Sequence, residues 1–425
     1  MSDTRTSEYI DGLARFIQAG PSSYHAAAEV ARQLTEAGFD RLDETAEWPS
    51  SPGRHVVVRD GAVIAWMVPD GAGPLTPFRI LGAHTDSPGF KLKPHPTTGS
   101  HGWLQAGVEV YGGPLLNSWL DRELELAGRL VTTDGEEHLV RTGPFLRIPQ
   151  LAIHLDRGVN DGLTLDKQRH TQPVWGAGDA SRADLLGFLA AGAGVEVDAV
   201  AGFDILTADT AAPARFGLHG DLFASGRLDN LTSVYAGLSA LLAAPSAAGH
   251  ISVLAAFDHE ELGSESRSGA SGPFLADVLA RIASSLGATV EERARAIAGS
   301  WCVSADAGHA VHPNYSERHD PVNQPVPGGG TLLKLNANQR YATDAAGAAL
   351  WSRLSAAAGV PFQEFVSNNA IPCGSTIGPL TATRIGIRTV DVGAPLLSMH
   401  SARELVHVED AAGLGATVGA FFAGE

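Results

Sequence analysis

The stretch Ile251-Ser-Val-Leu-Ala-Ala-Phe-Asp-His-Glu-Glu-Leu-Gly-Ser264 decides how this chain is read. Residues 251 to 257 are apolar apart from one serine, the composition of a buried strand. The run then turns acidic at once and reaches Gly263. Glu260 and Glu261 are neighbours and cannot share one face of a strand or helix, so they point at different objects. A hydrolase can use that split: one carboxylate binds a metal while the other takes a proton from the attacking water. Standing alone, the pair would more simply be a solvated acidic loop after a core strand.

Three further segments repeat the design, an apolar strand that delivers metal-type ligands at its carboxyl end. Phe78-Arg-Ile-Leu-Gly-Ala runs into His84-Thr-Asp86-Ser-Pro88, and Trp301-Cys-Val-Ser-Ala runs into Asp306-Ala-Gly-His309. Gly386-Ile-Arg-Thr-Val-Asp-Val-Gly393 leads to Leu397-Ser-Met-His400-Ser-Ala-Arg-Glu404. A fifth segment, Ser225-Gly-Arg-Leu-Asp229-Asn-Leu, opens a helical stretch. In open α/β sheets the reactive crevice lies outside the carboxyl ends of the strands, so these segments are expected to converge there.

Around them, two helices are expected at Ser7–Ala19 and Ser23–Ala37, then strands at His55–Val58 and Ala62–Met67. Between Pro94 and Pro213 the texture changes to alternating stretches with Gly and Pro turns, which predicts β-structure, with Asp156–Gly176 as a loop. Strand and helix alternation resumes through Ala276–Leu286, Thr331–Leu335, Asp344–Ala358 and Glu409–Phe422. The expected fold class is α/β: one domain formed from both ends of the chain and interrupted by a mostly β insertion.

With 425 residues, 44 % hydrophobic and 18 % charged, the chain is an ordinary globular protein with room for two domains or one large interrupted domain. Its net charge of −17 disfavours nucleic acid or an anionic membrane surface as partner, because either would repel it. No apolar stretch approaches the ~20 residues needed to span a bilayer. Cys302 and Cys373 are the two cysteines, which fits a reducing compartment better than a disulfide scaffold. The opening Met-Ser-Asp-Thr-Arg-Thr-Ser-Glu lacks the basic start and apolar core of a signal peptide, so a cytoplasmic location is expected.

His84, Asp229, Glu261, Asp306 and His400 offer nitrogen and oxygen ligands only, a set that suits zinc and also cobalt or manganese. Five protein ligands exceed what one catalytic zinc needs with an open position. They suit two metals bridged by one carboxylate, ~3.5–4 Å apart. Each residue alone has an ordinary reading: Asp229 can cap its helix, and Asp306 can open a turn before Gly308. The joint pattern is what outweighs these.

The motifs His84-Thr-Asp-Ser-Pro88, Ser225-Gly-Arg-Leu-Asp-Asn230, Asp258-His-Glu-Glu-Leu-Gly-Ser264, Ser304-Ala-Asp-Ala-Gly-His-Ala-Val-His-Pro-Asn-Tyr315 and Ser398-Met-His-Ser-Ala-Arg-Glu404 resemble the M18 family of metalloaminopeptidases, the aspartyl aminopeptidase family. Tyr111-Gly-Gly, Asp121-Arg122, Leu151-Ala-Ile-His-Leu155 and Lys334-Leu-Asn-Ala-Asn-Gln-Arg-Tyr341 extend the likeness, in order, over nearly the whole chain. The resemblance implies a zinc-aminopeptidase-like α/β/α catalytic domain at 1–92 and 213–425, with an inserted dimerisation domain at 93–212. It also implies two zinc ions per subunit, one held by His84 and Asp306, the other by Glu261 and His400, with Asp229 bridging. Glu260 would be the general base, and Asp86 would orient His84. Lys334 would meet the substrate's side-chain carboxylate. His154, expected on a strand, would reach a neighbouring subunit's active site in a homo-oligomer, commonly a dodecamer.

The resulting expectation is an aminopeptidase that acts on peptide substrates and favours N-terminal Asp or Glu. A related enzyme preferring neutral residues such as Leu is the rival within the class. A catalytically silent assembled scaffold is the rival outside it, and the intact ligand set with both glutamates speaks against that.

Overall fold

The computed structural model describes residues 2–50, 52–244 and 249–425. Its largest element is a nine-stranded sheet. The spatial order is Asp40–Arg41, Gly53–Arg59, Ala62–Val68, Ile251–Phe257, Phe78–His84, Trp301–Ala305, Arg388–Gly393, Thr331–Lys334 and Phe362–Phe365. The four strands from Ile251–Phe257 to Arg388–Gly393 run parallel to one another. Every residue of Ile251–Phe257 is buried. Val253, Ala255 and Phe257 face one helical layer, Leu254 and Ala256 the other. Both faces are covered, which is why the strand reads as a continuous apolar run rather than an alternation. Full burial of each Val, Leu or Phe contributes about 1.5–3 kcal/mol, and a one-residue slip would exchange the two sets, so register is firmly held.

One layer consists of the helices Ser2–Ala19, Ser23–Glu36, Leu228–Ala243, Ala345–Ala358 and Val408–Ala423, which share a core through residues such as Leu13, Val30, Leu231, Leu354 and Phe421. The opposite layer includes Phe274–Ser285 and Ile377–Ile385. The fold is thus α/β with three layers, as expected. No helix among the described residues is long and apolar enough to cross a membrane.

A second, antiparallel sheet of six strands is built from Gly89–Ser100, Trp103–Tyr111, Leu124–Thr132, Glu137–Arg141, Val174–Ala177 and Val200–Asp209. The boundary read at 93 falls inside its first strand. The stretch read as a loop up to Gly176 ends in a strand at Val174. One helix, Leu185–Ala193, packs on this sheet through Leu185, Leu189 and Ala190. Its sequence is apolar almost all round and shows no helical stripe. Its signals are at the ends, where Asp184 accepts from the Gly187 N–H and Gly194 takes the left-handed C-terminal position.

A third sheet went unread in the sequence. Ala214–Phe216, Leu222–Ser225, Glu404–His407, Pro395–Leu397 and Gly308–His309 form five short strands beside the carboxyl ends of the large sheet.

Candidate metal centre

The parallel register brings the site together. Phe257 pairs with His84, so the acidic stretch after one strand starts level with the histidine ending the next. Ala305 ends the following strand, and Asp306 comes directly after it. Asp229 stands in the first turn of the helix Leu228–Ala243, as its segment predicts, whereas His400 arrives differently from the expectation. His400 lies in the turn between Pro395–Leu397 and Glu404–His407 of the small sheet, not directly after Arg388–Gly393. Asp229 follows Leu222–Ser225, which pairs with Glu404–His407. Non-glycine residues with left-handed backbone stand at three of these turns: Arg227 (φ 61°), His259 (φ 62°) and His400 itself (φ 65°). Such conformations cost of order 1–3 kcal/mol each and persist where surrounding structure imposes them, commonly at functional sites.

The result is two adjoining donor sets. His84 Nε2 lies 3.3 Å from Asp229 Oδ1 and 3.4 Å from Asp306 Oδ1. His400 Nε2 lies 3.3 Å from Asp229 Oδ2 and 3.4 Å from Glu261 Oε1. The two oxygens of Asp229 therefore serve one set each. In both sets the donor atoms lie within 4.8 Å of one another. Asp229 Oδ1 and Glu261 Oε1 are buried without a hydrogen-bond partner, a costly condition that a coordinated cation would relieve. These residues fit zinc by donor chemistry and by that unmet demand.

Backbone carbonyls orient both histidines. His84 Nδ1–H donates to the Asp86 carbonyl at 3.0 Å, and His400 Nδ1–H donates to the Gly113 carbonyl at 3.0 Å. A carbonyl only accepts, so each ring keeps its Nε2 lone pair for the centre. Asp86 thus orients His84 as expected, through its carbonyl, while its carboxylate stays 3.5 Å from the ring. Those oxygens instead accept the N–H groups of Glu260 and Glu261 at 3.0 and 3.2 Å, and the Tyr111 hydroxyl at 2.9 Å. Asp86 thereby fixes the glutamate pair.

Glu404 had no role in the sequence reading. It is buried, and its two oxygens accept the Asp229 N–H at 3.0 Å and the His400 N–H at 2.8 Å. It is the counterpart of Asp86 on the other side. The segment after Tyr111 also reaches His400: Leu115 N–H donates to its carbonyl at 2.9 Å, and Ser118 Oγ accepts the Ala402 N–H at 3.0 Å.

Crowded carboxylates set the electrostatics. Burial alone would depress His84, but Asp229, Asp306 and Asp86 outweigh it and hold its pKa well above the ordinary histidine value. Burial likewise lowers His400, but Asp229 and Glu261 outweigh it and raise its pKa to about 10. Burial lifts Glu261 well above the usual carboxyl range, with Asp229 adding to it. For Glu260, burial raises the pKa, His84 pulls it back, and Asp306 and Asp229 push it further, to about 8. The whole cluster calls for positive charge.

The glutamates differ in exposure. The Glu261 side chain is 5 % exposed and the Glu260 side chain 17 %. Glu260 Oε2 stands 4.0 Å from His84 Nε2 at the edge of a cleft of about 410 Å³. The cleft is walled by Asp306, Lys334, Tyr341, Ser375 and Met399. Lys334 is not the surface lysine that a strand end might carry: it is 1 % exposed. Its ammonium donates to the Ala307 carbonyl at 2.7 Å, lies 3.6 Å from Asp306 Oδ2 and sits 5.4 Å from the Tyr341 ring centre.

His154 is not brought to this centre. It lies in an exposed turn rather than on a strand, and among the described residues it has no hydrogen bond to the cluster. Its neighbours Leu151, Ile153 and Leu155 are exposed at 56, 45 and 75 %.

The chain is similar to known proteins over nearly its whole length. The family model described as Aminopeptidase I zinc metalloprotease (M18) matches residues 16–422. A protein of Streptomyces avermitilis described as probable M18 family aminopeptidase 2 is 55 % identical, with 98 % of each chain covered. Among solved structures, that of the Ape4 and Nbr1 complex matches with TM-score 0.93 and 35 % identity, covering 98 % of this chain and 86 % of that one. The dodecamer of mApe1 from S. cerevisiae matches with TM-score 0.83 and 29 % identity, over 98 % and 95 % of the two chains.

Proposed function

The chain belongs to the M18 family of zinc metalloproteases and is an aminopeptidase; from that premise we propose that it is a dizinc enzyme releasing N-terminal Asp or Glu from peptides. The observation that carries the dizinc reading is Asp229, whose two oxygens each face a separate histidine and carboxylate. His84 and Asp306 would hold one ion, Glu261 and His400 the other, with Asp229 offering an oxygen to each. Zinc bound there supplies Lewis acidity, which polarises the scissile carbonyl and makes water easier to deprotonate. Cobalt or manganese would suit the same donors.

Glu260 is the general base. Both glutamates line the cleft, but Glu260 is the more exposed of the two, and its amide is pinned by Asp86. It takes the proton from the attacking water and returns it to the leaving amine. Lys334 forms the floor of the first-residue pocket, where a buried ammonium would pair with a substrate carboxylate. Hydrolysis of Asp-, Glu- and Leu-anilides by the zinc-loaded protein tests the preference; a faster Leu-anilide would leave the mechanism standing and remove the acidic specificity. Lys334→Met keeps the stem and deletes the charge. It is expected to reduce the Asp-over-Leu ratio in kcat/KM by roughly 10–100-fold, the scale of one charge-assisted hydrogen bond, with zinc content unchanged. An unaltered ratio would move the specificity to another residue.

Residues 93–212 are proposed as the dimerisation domain and the remainder as the catalytic domain. The exposed apolar Leu151, Ile153 and Leu155 support a surface covered by another subunit, which would carry His154 toward that subunit's cleft. The mApe1 likeness makes a dodecamer the proposed assembly, and the free thiols of Cys302 and Cys373 agree with a cytoplasmic setting. Light scattering is expected to give a large homo-oligomer; a 44.2 kDa monomer at working concentration would refute this.

A further inference from the structure

Beneath the cleft lies a buried carboxylate that the chemistry above does not use. Asp391 is 0 % exposed, in the strand Arg388–Gly393. That strand pairs antiparallel with Thr331–Lys334, Leu332 opposite Gly393 and Leu333 opposite Val392. One further step of the register sets Asp391 opposite Lys334, and directly opposed residues present their side chains on the same face.

Its oxygens gather three donors from three segments. Oδ1 accepts the hydroxyls of Ser304 and Thr376, each at 2.6 Å. Oδ2 accepts the Ala342 N–H at 2.6 Å, and the Asp391 N–H donates to Thr343 Oγ1 at 2.9 Å. Ser304 belongs to the strand that delivers Asp306. Ala342 and Thr343 directly follow Tyr341. Thr376 follows Ser375 and caps the helix Ile377–Ile385. Tyr341, Ser375 and Thr376 are cleft walls on the Lys334 side.

Neither wall is part of a sheet: 341–343 and 372–376 lie outside strands and helices. Backbone without a ladder takes its position from whatever its polar groups bond to, and here both walls bond to one side chain. The contact is close. A Cβ on Gly378 would come within 2.3 Å of both carboxylate oxygens, so the helix start sits directly on Asp391.

We propose that Asp391 is a positioning residue for substrate selection: it holds the two walls at the separation in which Lys334 and Tyr341 grip the first side chain. This rests on the reading of the Lys334 cleft as the first-residue pocket. A displacement of about 1 Å at a positioning contact can cost on the order of 100-fold, so a wall released from its anchor matters even though Asp391 never meets substrate.

The test uses the full-length, zinc-loaded protein with Asp- and Leu-anilide. Asp391→Ala is expected to raise KM for the better of the two by roughly 10–100-fold and to shrink the Asp/Leu ratio, with kcat within about threefold and zinc content unchanged. Asp391→Asn should restore KM to within about threefold of the parent. Its carbonyl can face the Ala342 N–H while its amide donates to the two hydroxyls, which can turn to accept. Thr376→Val, which cuts only one wall loose, should fall between them at nearly unchanged Tm. The proposal is overturned if Asp391→Ala lowers Tm but leaves KM and the ratio alone, which is a core role only. It is equally overturned if Asp391→Asn is as impaired as Asp391→Ala, since charge rather than positioning would then be what matters. Should Asp391→Ala not fold, an unchanged KM in Thr376→Val overturns it. Lys334→Met run in parallel separates the two readings. A raised KM in Asp391→Ala with an unaltered ratio in Lys334→Met keeps the positioning role and removes the lysine's; the reverse pattern removes the positioning role alone.

Discussion

Glu260→Gln is expected to retain its zinc and lose on the order of 10²–10⁴ in kcat, the usual contribution of a general base, or more because the same group returns the proton to the leaving amine. Glutamine preserves the shape and the amide that Asp86 holds, so folding and metal loading should be close to the parent. The companion change Glu261→Gln should behave differently. Glu261 Oε1 lies 3.4 Å from His400 Nε2 with no hydrogen-bond partner, so its loss should weaken zinc retention before it touches the proton transfer. Zinc content by elemental analysis beside kcat separates the two. Near-parental kcat in Glu260→Gln would mean the roles of the two glutamates have been assigned the wrong way round.

Asp229→Ala should be the most damaging single change at the centre. It removes an oxygen from each donor set at once, whereas any other substitution touches one. The expected result is zinc content falling well below two per subunit and kcat/KM falling by roughly 10³-fold or more. Lewis-acid stabilisation worth several kcal/mol and the orientation of water are lost together, and each 1.36 kcal/mol is a factor of ten. Excess zinc should restore little of it, because the bridging position no longer exists. Full activity recovered by added zinc would instead make Asp229 a replaceable ligand of a one-metal site.

The parts of this architecture that could be read in the chain are those where neighbouring residues carry the signal. Ile251–Phe257 and Phe78–His84 announce themselves because both faces of a parallel strand are buried, and the first polar residues after them mark the crevice. The small sheet could not be read this way. Gly308–His309 is two residues long and Pro395–Leu397 three, too short for any periodicity. Glu404 was invisible for another reason: it accepts from Asp229, 175 positions away, and a carboxylate whose partners are backbone N–H groups leaves no trace in their side chains. Asp391 is hidden because its donors Ser304, Ala342 and Thr376 lie 87, 49 and 15 positions away. Asp86 was legible as the residue that orients His84, but its second task, holding the glutamate amides with its carboxylate, was not, because spacing from His84 carries no sign of backbone partners elsewhere. His154 was expected on a strand because Leu-Ala-Ile-His-Leu has strand composition; in the structure its apolar residues stay exposed, so no core fixes that conformation.

The carbonyl of Gly113, the N–H of Leu115 and the hydroxyl of Ser118 all hold the His400 turn, and all three belong to the segment that follows strand Trp103–Tyr111. Tyr111, at the end of that strand, steadies Asp86 on the other side. The antiparallel sheet is therefore no detachable appendage. Excising it to obtain a minimal peptidase would leave one imidazole free to swivel and Asp86, which holds the glutamate pair, without the Tyr111 hydroxyl. Anyone trimming or grafting this enzyme must carry residues 111–118 along with the ligands they orient.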